Sequence, residues 1–206
     1  MSIFIFQQEG VSGNTLFVMT EVYVADNDVA KHMEVATSWS GMTKLAEYVA
    51  EFGTYISVGT NVVCTTMTDE ATTVSPALGN PSLHAVLCVP AEDLAEVETW
   101  IVDHEKFLRR THELTNSDDH DDKGPRLTSY YFSKGPEMKN PMDPTEGTTG
   151  NTLVVLSETY VAAADITKHM SMNDEWPEGY ALLGQYLGKF CKHIHVGTPA
   201  VYKTMA

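Results

Sequence analysis

TEVYVADNDVAKHM at residues 20–33 returns as SETYVAAADITKHM at residues 157–170, 137 positions further along. A self-match of this length marks a duplicated structural unit rather than a shared short motif. It extends both ways. From Asn14 to Trp39 about half of the positions are identical at that offset. After one inserted residue, LAEYVAEFGTYISVGTNVVCTTM (45–67) aligns with LGQYLGKFCKHIHVGTPAVYKTM (183–205). Side chains capable of chemistry recur in both copies: Glu21 with Glu158, Tyr23 with Tyr160, His32 with His169, Trp39 with Trp176 and Tyr48 with Tyr186.

Reading outward, SIFIFQ (2–7) and TLFVMTEVYV (15–24) are β-branched and aromatic runs parted by the turn EGVSG, and predict two strands. In the second, alternation puts Glu21 and Tyr23 on one face. Asp26, Asn27 and Asp28 offer helix caps, and VAKHM opens a helical turn. Met42, Leu45, Ala46, Val49 and Phe52 form an apolar helical face, with Gly53 following as a terminator. The strand YISVGTNVVCTTM then closes the first unit, and 68–82 is a polar linker.

The next segment has no counterpart in the first half. LHAVLCV (83–89) predicts a strand, and residues 92–114 a helix with Leu94, Val97, Ile101, His104 and Leu108 in one stripe beside Trp100 and Phe107. RLTSYYFSKG (126–135) matches the opening strand of the chain, and a long loop with three prolines leads into the second copy. The expected fold is α+β. Residues 83–206 read β-α-β-β-α-β, the ferredoxin-like order, and residues 1–67 read β-β-α-β, lacking the opening strand and helix.

Composition narrows the function. A net charge of −15 over 206 residues disfavours nucleic acid and anionic membrane surfaces. No apolar stretch approaches the roughly 20 residues that span a bilayer, and MSIFIFQQEG lacks the pattern of a secretory signal. Cys64, Cys88 and Cys191 are scattered, as buried thiols of a reducing compartment would be. The expectation is a soluble cytoplasmic protein, able to form a homo-oligomer, that takes a small molecule.

Glu158-Thr-Tyr160 followed by Asp165 and His169, and Glu21-Val-Tyr23 followed by Asp28 and His32, resemble the antibiotic-biosynthesis-monooxygenase-like family. The likeness spans nearly all of 84–206 and most of 3–67. It implies paired ferredoxin-like units in a dimeric α/β-barrel arrangement, here as a tandem repeat, with a pocket between sheet and helices. Haem-degrading members carry a Trp where His169 stands, with a His about ten residues later, where Gly179 or Tyr180 lies here, so that branch is disfavoured. An isomerase acting on a phosphorylated signal molecule would need more cations than Lys168, Lys189 and Lys192 near the motif.

The oxygenase branch, which the Glu-x-Tyr…His pattern resembles alongside that isomerase and which ranks above it, implies cofactor-independent monooxygenation of a small aromatic or polyketide-type substrate. His169 would be the base at the start of a helix, Tyr160 its hydrogen-bond partner, and His104 would face it across the pocket. Trp100, Trp176, Tyr130, Tyr186 and Glu158 would line the substrate space, with His32 and Tyr23 as equivalents in the first repeat. Each residue also has a plainer role: His104 as a core residue, His169 as a brace, the tryptophans as anchors. No metal centre is expected. HDD (120–122) sits in a charge run, and His193 and His195 are matched by Tyr55 and Ser57 in the first copy. No dinucleotide or phosphate-binding glycine motif occurs. Two other functions fit the same residues: a non-catalytic ligand-binding barrel, and an isomerase or cyclase that works without oxygen.

Overall fold

Strand β4 (Ser82–Val89) shows how the sheet is built, because both of its faces are covered. Leu83, Ala85, Leu87 and Val89 alternate onto the face that meets the helices. In the computed structural model of the chain, the described residues are 2–9, 15–22, 26–52, 60–66, 80–114, 124–140 and 143–204. They form β1 (Ser2–Glu9), β2 (Thr15–Val22), α1 (Asp26–Ala36), α2 (Met42–Phe52) and β3 (Thr60–Thr66), then β4. After β4 come α3 (Leu94–Thr111), β5 (Glu113–Leu114), β6 (Arg126–Met138), β7 (Thr148–Tyr160), α4 (Ala163–Met170), α5 (Pro177–Phe190) and β8 (Cys191–Thr204).

Strands β8, β4, β7 and β6 are consecutive antiparallel neighbours. With α3 between β4 and β6, and α5 between β7 and β8, this is the ferredoxin-like unit expected for 83–206. β1 adds to the β8 edge and β3 to the β6 edge, so the sheet runs β2-β1-β8-β4-β7-β6-β3. The succession β1-β2-α1-α2-β3 follows the same order of element types as β6-β7-α4-α5-β8. No helix among the described residues is long and apolar enough to cross a membrane.

The core lies between the sheet and α3 and α5. Val97, Trp100, Ile101, His104, Phe107 and Leu108 recur every three or four residues and form the buried stripe of α3. They meet Phe132 of β6 and Val154, Leu156 and Tyr160 of β7. Truncating a side chain as enclosed as Ile101 or Leu108 would cost about 2–5 kcal/mol.

Three boundaries depart from the sequence reading. The helix expected through Leu114 ends at Thr111, where His112 turns extended at φ −105°, ψ 147°. Gly124 explains the break, since a Cβ there would lie 2.1 Å from the Thr111 carbonyl oxygen, and only glycine lets the returning chain pass. The three-proline loop is shorter than expected: β6 runs through Pro136 to Met138, with the proline beside a register shift, where a missing donor is tolerated. Gly147, at φ 78°, makes the turn into β7. His169 lies in the last turn of α4, not at a helix start.

That short helix is anchored by a buried ion pair. The Arg126 guanidinium donates to both carboxylate oxygens of Asp165, at 3.2 and 2.9 Å, and the Arg126 and Ala162 amides donate to it as well. Asp165→Ala removes the bidentate acceptor of the Arg126 guanidinium together with the cap on the Ala162 amide and is expected to cost about 3 kcal/mol. An earlier urea midpoint with unchanged slope is the readout.

Candidate active site

Period-two alternation on β7 places Glu158 and Tyr160 on the helix-facing side, and the stripe of α3 points His104 at them. His169 joins from the end of α4. The Glu158 carboxylate is 1% exposed. Its Oε2 accepts from the Tyr160 hydroxyl at 2.6 Å and lies 3.8 Å from His169 Nε2. Its Oε1 lies 3.7 Å from His104 Nε2 and accepts no hydrogen bond among the described residues. The Tyr160 hydroxyl is therefore spent on the carboxylate two residues before it, and does not orient His169 as the sequence suggested.

The group that does orient His169 is His112, at 2.9 Å from its Nδ1. The donor sense follows from the chain of bonds. Thr111 gives its only hydroxyl proton to the Phe107 carbonyl at 2.7 Å, so its oxygen accepts from His112 Nδ1–H at 2.9 Å. His112 Nε2 is then the acceptor, and His169 Nδ1–H the donor. On the other side, His104 Nδ1 is 3.0 Å from the Tyr130 hydroxyl. His112 was not singled out in the sequence, because RTHEL reads as the tail of a helix.

Burial favours the neutral form of His104, His112, Tyr130 and Tyr160. Desolvation, with His169 and then His112 adding to it, holds His104 well below the usual histidine range. Desolvation and the neighbouring His169 hold His112 at about 3. Tyr130 and Tyr160 are pushed well above the phenol range, first by burial and then by the Glu158 charge. His104, Glu158 and His169 also place one possible ligand atom each within 4.8 Å of one another.

Trp176 closes the site. Its ring lies parallel to Trp100 at 6.0 Å, to His104 at 5.9 Å and to Phe107 at 5.3 Å. Trp100 itself stacks on His104 at 4.8 Å and donates to the Gly179 carbonyl at 3.0 Å. Between the rings and the two histidines remains a cavity of about 10 Å³, the size of one water. The expected substrate space is thus filled by Trp176, which packs on bare Gly179: a Cβ there would sit 2.0 Å from the indole. Gly179→Ala is expected to push Trp176 outward, red-shift its fluorescence and cost about 1–3 kcal/mol.

Tyr186 stands apart. It meets Trp100 edge-on and donates to Glu96 at 3.0 Å, beside an outer groove of about 270 Å³ between α3 and α5. Tyr180, by contrast, ties α5 to α4, donating to the His169 carbonyl at 2.6 Å. His32 is half-buried on α1, whereas Tyr23, the linker residues 68–79 and the HDD run lie outside the described residues.

No protein-family model matches the chain, and no curated protein does. Solved structures do. An anthrone oxidase-like protein superposes with a TM-score of 0.57 at 11% identity, over 98% of this chain and 79% of its own. A candidate monooxygenase from Fusobacterium nucleatum subsp. nucleatum superposes at 0.52 and 10% identity, over 99% of this chain and 77% of its own. Likeness at this identity shows the fold: α+β, built on the ferredoxin-like unit, as in these monooxygenase-type proteins.

Proposed function

We propose that the protein is a monooxygenase-like enzyme that oxidises a small phenolic or polyketide-type aromatic with O₂. The observation that carries this reading is the buried Glu158 carboxylate held between His104 and His169, with His169 oriented by His112 so that its Nε2 faces Glu158 and the cavity. A neutral imidazole so placed takes a proton from an acidic phenol or from the methylene beside an aryl ketone. The resulting carbanion is electron-rich enough to reduce O₂ directly. When a methylene becomes a carbonyl, the substrate supplies all the electrons: one oxygen atom enters the product, the other leaves as water, and no external reductant is consumed. The names of the fold's neighbours support the same chemistry, and the anthrone type of substrate suits it.

We read residues 1–67 and 83–206 as an incomplete and a complete copy of one unit joined by 68–82, with the reactive centre in the complete copy. Entry of a tricyclic substrate requires Trp176 to swing away from Trp100. An oxygen electrode run against a panel of phenols and anthrone-type ketones tests the reading. Substrate-dependent O₂ uptake is expected, and turnover that persists without oxygen would instead mark an isomerase or cyclase. The cavity of about 10 Å³ favours a second reading, a non-catalytic barrel whose aromatic cluster is core. That reading predicts no uptake with any compound.

A further inference from the structure

We propose that His104 Nε2, His169 Nε2 and the Glu158 carboxylate form a binding site for one first-row divalent metal ion. The inference goes beyond the oxidation proposed above and does not depend on it, because a metal and a substrate proton are alternatives at the same His169 nitrogen.

The argument starts from what each side chain has already committed. His169 Nδ1–H donates to His112, His104 Nδ1 is engaged with Tyr130, and Glu158 Oε2 accepts from Tyr160. What remains of the three groups faces inward: two imidazole Nε2 atoms, and a carboxylate oxygen that no described hydrogen-bond donor reaches. His169 Nε2 faces the Glu158 carboxylate at 3.8 Å, and His104 Nε2 faces it at 3.7 Å. Two imidazole nitrogens and a carboxylate turned toward one another at 4% side-chain exposure or less form a donor set that a shared cation satisfies.

Two histidines and one carboxylate on one side of an ion are a recognised ligand set for divalent iron, zinc, cobalt and their neighbours. Each ligand also has an outer partner of the kind that orients ligands in such sites: His112 on His169, Tyr130 on His104 and Tyr160 on Glu158. Ligand atoms around one such ion at about 2.1 Å lie roughly 3.0–3.4 Å apart. The three ligand atoms lie within 4.8 Å of one another, so the triad draws inward, by up to about 1.5 Å at its widest pair, to seat the ion. The cavity beside the two histidines, about 10 Å³, then provides one open position for water. The sequence hid this site because its ligands come from three separate elements, α3, β7 and α4, at positions 104, 158 and 169 with no metal-motif spacing.

The test uses the full chain, free of any affinity tag and stripped with EDTA, titrated with Co²⁺ and with Zn²⁺ at neutral pH in the absence of substrate. Calorimetry and visible absorption should report one equivalent of metal, with cobalt bands of a low-symmetry N/O site. Glu158→Gln, His104→Gln and His169→Gln, chosen to keep the core filled and checked by circular dichroism, should each weaken binding by at least about 100-fold. His112→Ala should weaken it about 10–100-fold, and His193→Ala, outside the cluster, should leave it unchanged. Failure of the wild-type chain to take up one equivalent overturns the proposal, as does binding that survives in Glu158→Gln and both glutamine variants. Because the readout is binding, absence of oxygen uptake with phenols leaves it standing.

Discussion

Moving the protein from pH 7 to pH 5 is expected to unfold it or bring it close to unfolding. His84 and His112 are 3% and 7% exposed, and burial, with a neighbouring histidine beside each, holds both at about 3. In the unfolded chain a histidine titrates near 6.5. Between about 6.5 and 3 the unfolded state therefore binds protons that the native state refuses, and stability falls as pH falls. Each such group costs about 2 kcal/mol over the step from pH 7 to 5, and His104, also depressed, acts in the same direction. The sum is comparable with the 5–15 kcal/mol that typically hold a domain together. Thermal melts in EDTA across this range check it. A melting temperature unchanged between pH 7 and 5 would contradict the neutrality of His84, His104 and His112, and His112→Gln should flatten the profile.

The second large effect concerns turnover. His169→Ala removes the imidazole that His112 orients with its Nε2 toward Glu158 and the cavity. On the proposed reaction, kcat should fall about 10²–10⁴-fold, the usual contribution of a positioned general base. His112→Ala should have a smaller effect of the same kind, since it frees the ring of His169 to rotate without removing the base. If His169→Ala is folded and turns over at the wild-type rate, the role assigned to His169 is wrong.

Much of this centre was legible in the chain because local periodicity governs it. Alternation along TLVVLSETY puts Glu158 and Tyr160 on one face, and the stripe of α3 carries His104 and Trp100 inward. The ferredoxin-like order of 83–206 followed from the same patterns. What periodicity does not encode are events that depend on two distant segments meeting. Gly124 passing against Thr111 ends α3 and turns His112 into the site, although nothing in RTHEL marks a helix end. Likewise, Gly179 accepting the face of Trp176 turns an expected pocket into a filled aromatic stack. Helix α4 spans only 8 residues, so His169 projects from its last turn, a boundary error larger than the one turn that decides orientation.

The first copy repeats Glu21, Tyr23 and His32 in sequence, and the expectation of a second centre there rests on the repeat alone. On the proposed reading the chemistry belongs to 83–206, because His104, Trp100 and His112 all come from α3 and its end, a segment whose sequence has no match in residues 1–67.

Paired oxygen-uptake assays on the wild type and Glu158→Gln, with an anthrone-type phenol as substrate, test most directly whether the buried carboxylate–histidine centre performs the oxidation. Glu158→Gln keeps the volume, and its amide oxygen can still accept from Tyr160, while the charge that stabilises a protonated His169 is lost. The account predicts substrate-dependent uptake by the wild type and a rate lower by about 100-fold or more in the variant. Equal uptake by both proteins, or no uptake by either, would contradict it.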